Sequence, residues 1–413
     1  MTIPLTREDC AARDAADPLA PFRDEFVLPD GVIYLDGNSL GALPRATPAR
    51  VARLVEHEWG QRLIASWNEA GWWDKPRTLG ALLAPLLGAE ADEVVVGDGT
   101  SVNLFKTVAA ALWLRPNRRV VVAEAGNFPT DGYIAQGVVD LVDGASLRMV
   151  DVDDPAALAA ALEPGDVAVV LLSHVDYRTG ILRDMAAVTE MVHAHGALVV
   201  WDVCHSVGAV PLALAQTGVD FAVGCTYKYL NAGPGAPAFT YVARRHHERV
   251  RQPISGWHGH ARPFDFAPEY EPAAGASRFL SGSQSLIAAA ALEASLELWQ
   301  RVDLAQVREK SLALTDLFVA VTAEAGLECV TPAEHERRGS QVALRHPDGY
   351  PIVQALIARG VVGDFRSPDI LRFGFAPLYL RYVDVYDAAR ALVEVVTSGE
   401  WQDPRFAQRA QVT

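Results

Sequence analysis

Short apolar runs rich in β-branched residues alternate along the chain with longer stretches whose apolar positions recur at helical spacing. Runs of this length, bounded by glycine, proline and small polar residues, read as buried strands. They predict strands over 93–96, 118–123, 147–152, 167–173, 197–203, 221–227 and 236–243. Helices are predicted over 48–64, 102–114, 184–195 and 286–302, the first with Trp59 on its apolar face. Strands that alternate with helices imply a mostly parallel sheet covered on both faces. After 291 come a helix, a strand (341–344), a helix (352–358) and two short segments that carry Arg366 and Arg372. That order describes a smaller α+β unit. The expected organisation is an N-terminal arm over 1–40, a large α/β domain over 41–290 and a small domain over 291–413.

In such a sheet, ligands bind beyond the carboxyl ends of the strands. Asp202 stands near the end of one run, and Lys228 follows the next, just before the turn NAGPG (231–235). Both therefore open into one crevice. Pyridoxal phosphate chemistry calls for such a pair: a lysine amine to bind the aldehyde and a carboxylate to keep the pyridine nitrogen protonated. The bland alternative makes Asp202 a helix cap and Lys228 a surface lysine. The setting CTYKYLNAGPG (225–235), between an apolar run and a glycine turn, is no ordinary solvated face.

Other strand ends add candidates, each with two readings. The turn 97–101 is either a phosphate cradle, with Thr100 and Ser101 adding hydroxyl donors to the free N–H groups of a helix start, or a plain N-cap. Phe128 is a ring stacked on a flat cofactor or a buried loop residue, and Asp131 a second carboxylate or a cap. His205 follows Asp202 by three residues and faces the same region. Arg372 lies in a strand among aromatics, where an unpaired charge is costly. Its partner is either a substrate carboxylate, the favoured reading, or an internal acid. Trp72 and Trp73 form a core plug or a pocket wall. His193, His195, His246 and His247 lack ligand spacing and read as surface residues. His258 and His260 lack an evident third ligand.

Composition narrows the field. The 413 residues are 50% hydrophobic with a formal net charge of −15. An acidic chain without a basic run argues against nucleic acid and anionic membrane as partners. No run approaches the ~18 apolar residues of a membrane span. The first twenty residues are acidic and have no apolar core, so no signal peptide is expected. The four cysteines show no CxxC spacing, which points to a reducing cytoplasm, and Cys204 and Cys225 read as small buried hydrophobes. No P-loop or GxGxxG pattern follows a strand.

Taken together, YLDGNSLG (34–41), GTSVNLFK (99–106), NFPTDGY (127–133), WDVCHSVGAVPL (201–212), GCTYKYLNAGPG (224–235), GWHGH (256–260), RFLSGSQS (278–285) and LRFGFAPLY (371–379) resemble the kynureninase family of fold-type I pyridoxal phosphate enzymes. They occur in family order and cover most of the chain. The resemblance implies a seven-stranded type of sheet and hydrolysis of L-kynurenine, and of its 3-hydroxy relative, to the anthranilate and L-alanine in tryptophan catabolism. It implies that Lys228 carries the Schiff base and Asp202 pairs with the pyridine nitrogen. Phe128 would stack on the ring, with Asp131 and His205 touching the cofactor. Thr100, Ser101 and Tyr227 would hold the phosphate, and Tyr227 would relay a proton. Trp257 and Ser283 would reach in from the second subunit of a homodimer. Arg372 would clamp the substrate carboxylate, with Ser39 beside it, and Trp72, Trp73 and Trp257 are candidates for the aryl ring. A cysteine desulfurase or selenocysteine lyase, or an aminotransferase of the same fold, is the alternative. The desulfurase reading needs a reactive loop cysteine that this chain does not offer, and the ring-stacking position holds Phe128.

Overall fold

The computed structural model describes residues 6–409. The first five residues of the expected N-terminal arm lie outside the described residues. Seven strands build the main sheet: β1 (Val94–Val96), β2 (Val120–Glu124), β3 (Ser146–Val150), β4 (Val167–Ser173), β5 (Leu198–Asp202), β6 (Phe221–Gly224) and β7 (Phe239–Val242). Their order is β1-β7-β6-β5-β4-β2-β3. The pairs β2/β3, β2/β4, β4/β5 and β5/β6 are parallel, and β7 runs antiparallel to both β6 and β1. β4 is buried along its whole length, as a continuous Val/Leu run covered on both faces should be. Apolar residues on the two faces of the sheet belong to two separate clusters, Val170 and Val199 to one and Val169 and Val200 to the other.

A second sheet comprises β8 (Glu328–Cys329), β9 (Gln341–Arg345), β10 (Asp364–Arg366) and β11 (Ile370–Gly374), ordered β8-β9-β11-β10 and wholly antiparallel. The hairpin register sets Asp364 opposite Arg372. The N-terminal arm ties the sheets together. Ile33–Tyr34 pairs in parallel with Val361–Val362, and Asp36 bridges to Gly374. The arm then passes so close to the Lys228 loop that a Cβ on Gly41 would lie 2.2 Å from the Lys228 carbonyl oxygen. Only glycine fits there, and the Gly41 N–H donates to the Tyr227 carbonyl oxygen at 2.7 Å.

Two expectations fail for tertiary reasons. The segment 48–64 is an α-helix only over Thr47–Arg53, then a π-helical turn over Leu54–Trp59, and the altered rotation leaves Trp59 55% exposed. The histidines read as surface residues are partly structural. His193 and His246 each bond the buried carboxylate of Asp220 at 2.7 Å, and His247 is buried. Asp220 immediately precedes β6, at the end of the strand away from Lys228, and these imidazoles with Arg245 hold its carboxyl far below the usual range despite burial. Cys329 lies on β8 rather than in a mobile loop. Among the described residues no helix is long and apolar enough to cross a membrane.

Candidate active site

The carboxyl ends of β1, β2, β4, β5 and β6 face one way, and the arm and the second sheet close over them. The resulting cavity, of about 260 Å³, is lined by Thr100, Ser101, Phe128, Asp131, Asp202, His205, Tyr227 and Lys228 from the main sheet. Ser39, Arg366 and Arg372 line it from the arm and the second sheet. Sequence reasoning thus brings most of its candidates to one place.

β1 feeds Gly97 to Gly99 and then a 15-residue helix, Thr100–Leu114. Its N-cap is Gly99, and no side chain caps it. The plain N-cap reading of Thr100 and Ser101 therefore fails. The helix start presents uncapped N–H groups and two hydroxyls to the cavity, the arrangement that binds a phosphate. Lys106 supports the turn from below, its buried ammonium on Asp98 at 2.6 Å and on the Phe279 carbonyl oxygen at 2.7 Å.

β2 leads to Phe128, half exposed on the cavity wall and edge-on to Tyr177 at 5.4 Å. Asp131 falls in the first turn of the next helix, Pro129–Leu141, and accepts from Asn127 at 2.9 Å. Burial and the neighbouring Asp202 push its carboxyl well above the ordinary range. Two acids buried in one pocket disfavour each other's charged form, and Asp131 is driven toward its neutral form while Asp202 faces the cavity. Asp202 itself accepts from the Cys204 N–H at 2.6 Å.

β6 ends in Tyr227 and Lys228. The Lys228 ammonium donates to His205 Nε2 at 2.8 Å. Burial and the nearby cations Lys228, Arg372 and Arg366 drive the imidazole well below its ordinary value, so it is neutral and accepts. The Cys225 sulfur and burial push the Tyr227 phenol upward, so it carries its proton at neutral pH. Cys204 also lines the cavity, but its contact with Cys225 and its burial raise its thiol well above the normal range.

For Arg372 the structure supplies the internal acid of the alternative reading. Its charge already has a protein partner: Nε donates to Asp364 Oδ1 at 2.8 Å and Nη2 to Asp364 Oδ2, with both residues 1% exposed. Nη2 also donates to Ser39 Oγ at 2.7 Å and Nη1 to the Tyr177 carbonyl oxygen at 2.7 Å. Asp364 escaped the sequence reading, yet a signal existed. A hairpin turning at Ser367, Pro368 and Asp369 sets 364 against 372. Arg366 and Asn38 were also missed as lining residues. Buried beside Asp364, the Asp36 carboxyl is pushed up to about 7.

Trp257 and Ser283 are not among the cavity's lining residues in this chain, and both are exposed. Trp257 packs with Trp67, Trp73 and Phe264, and Trp73 stacks on the buried His258 at 4.2 Å. Trp72 is buried against Leu54 and Ala290, a core plug rather than a cavity wall, and none of the candidate tryptophans lines the cavity.

Comparison with known proteins agrees with this geometry. Residues 307–392 match the family model described as kynureninase C-terminal domain. Curated proteins named kynureninase from Burkholderia mallei and Pseudomonas fluorescens are 52% and 51% identical to the chain over 417 residues, covering 99% of it and all of their own length. Among solved structures, the apo cysteine desulfurase of Thermococcus onnurineus superposes with a TM-score of 0.77 at 18% identity, covering 96% of this chain and 99% of its own. The cysteine desulfurase CsdA of Escherichia coli gives 0.73 at 20%, covering 92% and 98%. At such identity the likeness is one of fold.

Proposed function

Since the chain belongs to the kynureninase family, we propose that it uses pyridoxal phosphate to hydrolyse L-kynurenine to anthranilate and L-alanine. The single observation that carries this reading is the convergence of Lys228, Asp202 and an uncapped helix start on one cavity. The donor set suits the cofactor: an amine for its aldehyde, a carboxylate for its ring nitrogen, free N–H groups for its phosphate and a phenyl face for its ring. When bound, the cofactor supplies an aldehyde that links to amines and a protonated ring that withdraws electrons from the attached carbon.

The chain's own groups do the rest. Thr100 and Ser101 with the helix start hold the phosphate, and Tyr227 joins them. Asp202 would meet the ring nitrogen, Asp131 and His205 would complete the polar wall, and Phe128 would supply a phenyl face for the ring. Lys228 would hold the cofactor through its aldehyde and, as a free amine, would move the substrate α-proton. Arg372 and Ser39 orient the α-carboxylate. Water adds to the ketone carbon. Tyr227, held protonated, would deliver a proton to the methylene carbon as its bond to that ketone carbon breaks, and would recover one from the hydroxyl that water has placed on the ketone carbon. The aryl half leaves as the carboxylate, and the amino acid half as alanine.

Trp257 and Ser283, exposed and off this chain's own cavity, suit a homodimer in which each subunit completes the other's site. Exposed Trp59, Ile64, Phe264 and Phe266 supply apolar area for that contact. The cytoplasm suits the reduced cysteines. A desulfurase reading finds no support at Cys204, whose thiol stays protonated.

The test is a visible absorbance spectrum of the purified protein after supply of pyridoxal phosphate, then addition of L-kynurenine. A Schiff-base band followed by anthranilate fluorescence is expected. Lys228→Ala should lose both the internal band and turnover. The band without anthranilate would shift the reading to a related lyase or aminotransferase.

A further inference from the structure

Two guanidinium groups stand against one carboxylate at the second-sheet end of the cavity. Asp364 is saturated: Oδ1 accepts from Arg372 Nε, and Oδ2 accepts from Arg372 Nη2, from Arg366 Nη2 at 2.6 Å and from Ser39 Oγ at 2.9 Å. Arg372 is almost wholly committed. Of its five N–H groups, those on Nε and Nη2 and one on Nη1 have protein acceptors.

Arg366 is not committed in this way. Among the described residues it donates only through Nη2, to Asp364 and, at 3.2 Å, to Ser39. Its Nε is buried without a hydrogen-bond partner, its side chain is 33% exposed and its head lines the cavity. A buried N–H of a cation without an acceptor is costly, and the local charge exceeds what Asp364 neutralises. The other nearby acid, Asp36, is pushed toward its neutral form by burial and by Asp364. Among the described residues Arg366 Nη1 meets no acceptor either, and it is the edge of the guanidinium that an anion entering the cavity can reach.

We propose that Arg366 shares the substrate α-carboxylate with Arg372 and thereby sets the preference for an amino acid over its decarboxylated amine. This rests on the substrate reading given above. Arg372, anchored by Asp364, offers the one remaining N–H from the cavity floor. Arg366 offers the larger free edge. The forked guanidinium is suited to the two oxygens of a carboxylate, and an ammonium in its place meets them as a point charge.

The experiment compares wild type, Arg366→Gln and Arg366→Lys with L-kynurenine and with its decarboxylated amine. KM and kcat are measured for L-kynurenine. Dissociation constants for both ligands are measured by calorimetry in a Lys228→Ala background. Arg366→Gln should weaken L-kynurenine by about tenfold or more in KM and dissociation constant, as loss of a charge-assisted pair does, with kcat changed far less. Its affinity for the amine should hold within about twofold, and Arg366→Lys should recover part of the loss. Equal weakening of both ligands, or an unchanged KM, would overturn the proposal and leave Arg366 as a counter-charge for Asp364. If wild type fails to hydrolyse L-kynurenine, the substrate reading falls by itself. L-alanine against ethylamine, titrated into the pyridoxal phosphate-loaded wild type and Arg366→Gln, then tests Arg366 independently.

Discussion

Lys228 Nζ lies 2.8 Å from His205 Nε2, and the two groups do not compete for charge. The imidazole is kept neutral by burial and by the lysine itself, so it serves as an acceptor that points the amine into the cavity. His205→Phe removes that acceptor and should lower kcat by about 100-fold, the low end of what a positioned proton-transfer group contributes. His205→Gln keeps an acceptor oxygen and should lose less. A pH–rate profile checks the assignment: neither variant should remove a limb between pH ~5 and ~9, because the ring does not titrate there.

Asp364 and Arg372 form a buried pair across the β10/β11 hairpin. Despite burial, Arg372 and Arg366 hold the Asp364 carboxyl below its ordinary range. Breaking one side of such a pair costs about 3–5 kcal/mol, because the other charge is left buried. Asp364→Asn and Arg372→Ala should each show that loss in urea denaturation. Arg372→Ala should also raise KM strongly. The double variant Asp364→Asn/Arg372→Met should recover most of the stability and none of the affinity for substrate. An Arg372→Ala protein of wild-type stability would mean the pair is not intact in solution.

Asp36 and Glu124 should each contribute a fall in stability as pH rises from about 4 to about 7, set against the opposite slope of His174 and His205, whose imidazoles burial keeps neutral. Asp36 moves from 3.8 when unfolded to about 7 in the fold, through burial and the neighbouring Asp364. Glu124 moves from 4.5 to about 7, through burial, although Arg183 opposes the shift. Both retain a proton in the native chain where the unfolded chain has released it, so unfolding becomes easier as pH climbs through this window. Asp36→Asn should flatten part of that slope and Glu124→Gln another part. Denaturation midpoints measured at half-unit pH steps would show it.

Ile64 is 80% exposed and Phe266 82% exposed, an arrangement suited to a subunit contact rather than to water. In the proposed homodimer, Ile64→Asp should shift the mass seen by light scattering from two chains toward one and reduce turnover, since Trp257 and Ser283 of one chain would no longer meet the other's cavity. A dimer unchanged in Ile64→Asp and in Phe266→Asp would place the contact elsewhere.

Much of this protein is determined by local pattern. Strands such as Val167–Ser173 and Leu198–Asp202 are legible because a short β-branched run bounded by turn residues has few other ways to bury itself. Asp202, Lys228, Thr100 and Ser101 follow, since strand ends in a parallel sheet share one edge. Only the tertiary structure decided which strands are neighbours, and charge pairing depends on that. Arg372 is answered by Asp364 through a hairpin register, His193 and His246 meet at Asp220 from segments far apart in sequence, and the arm carries Ser39 between two sheets. A buried charge takes the partner that geometry brings within hydrogen-bonding reach, and no spacing along the chain specifies that distance in advance.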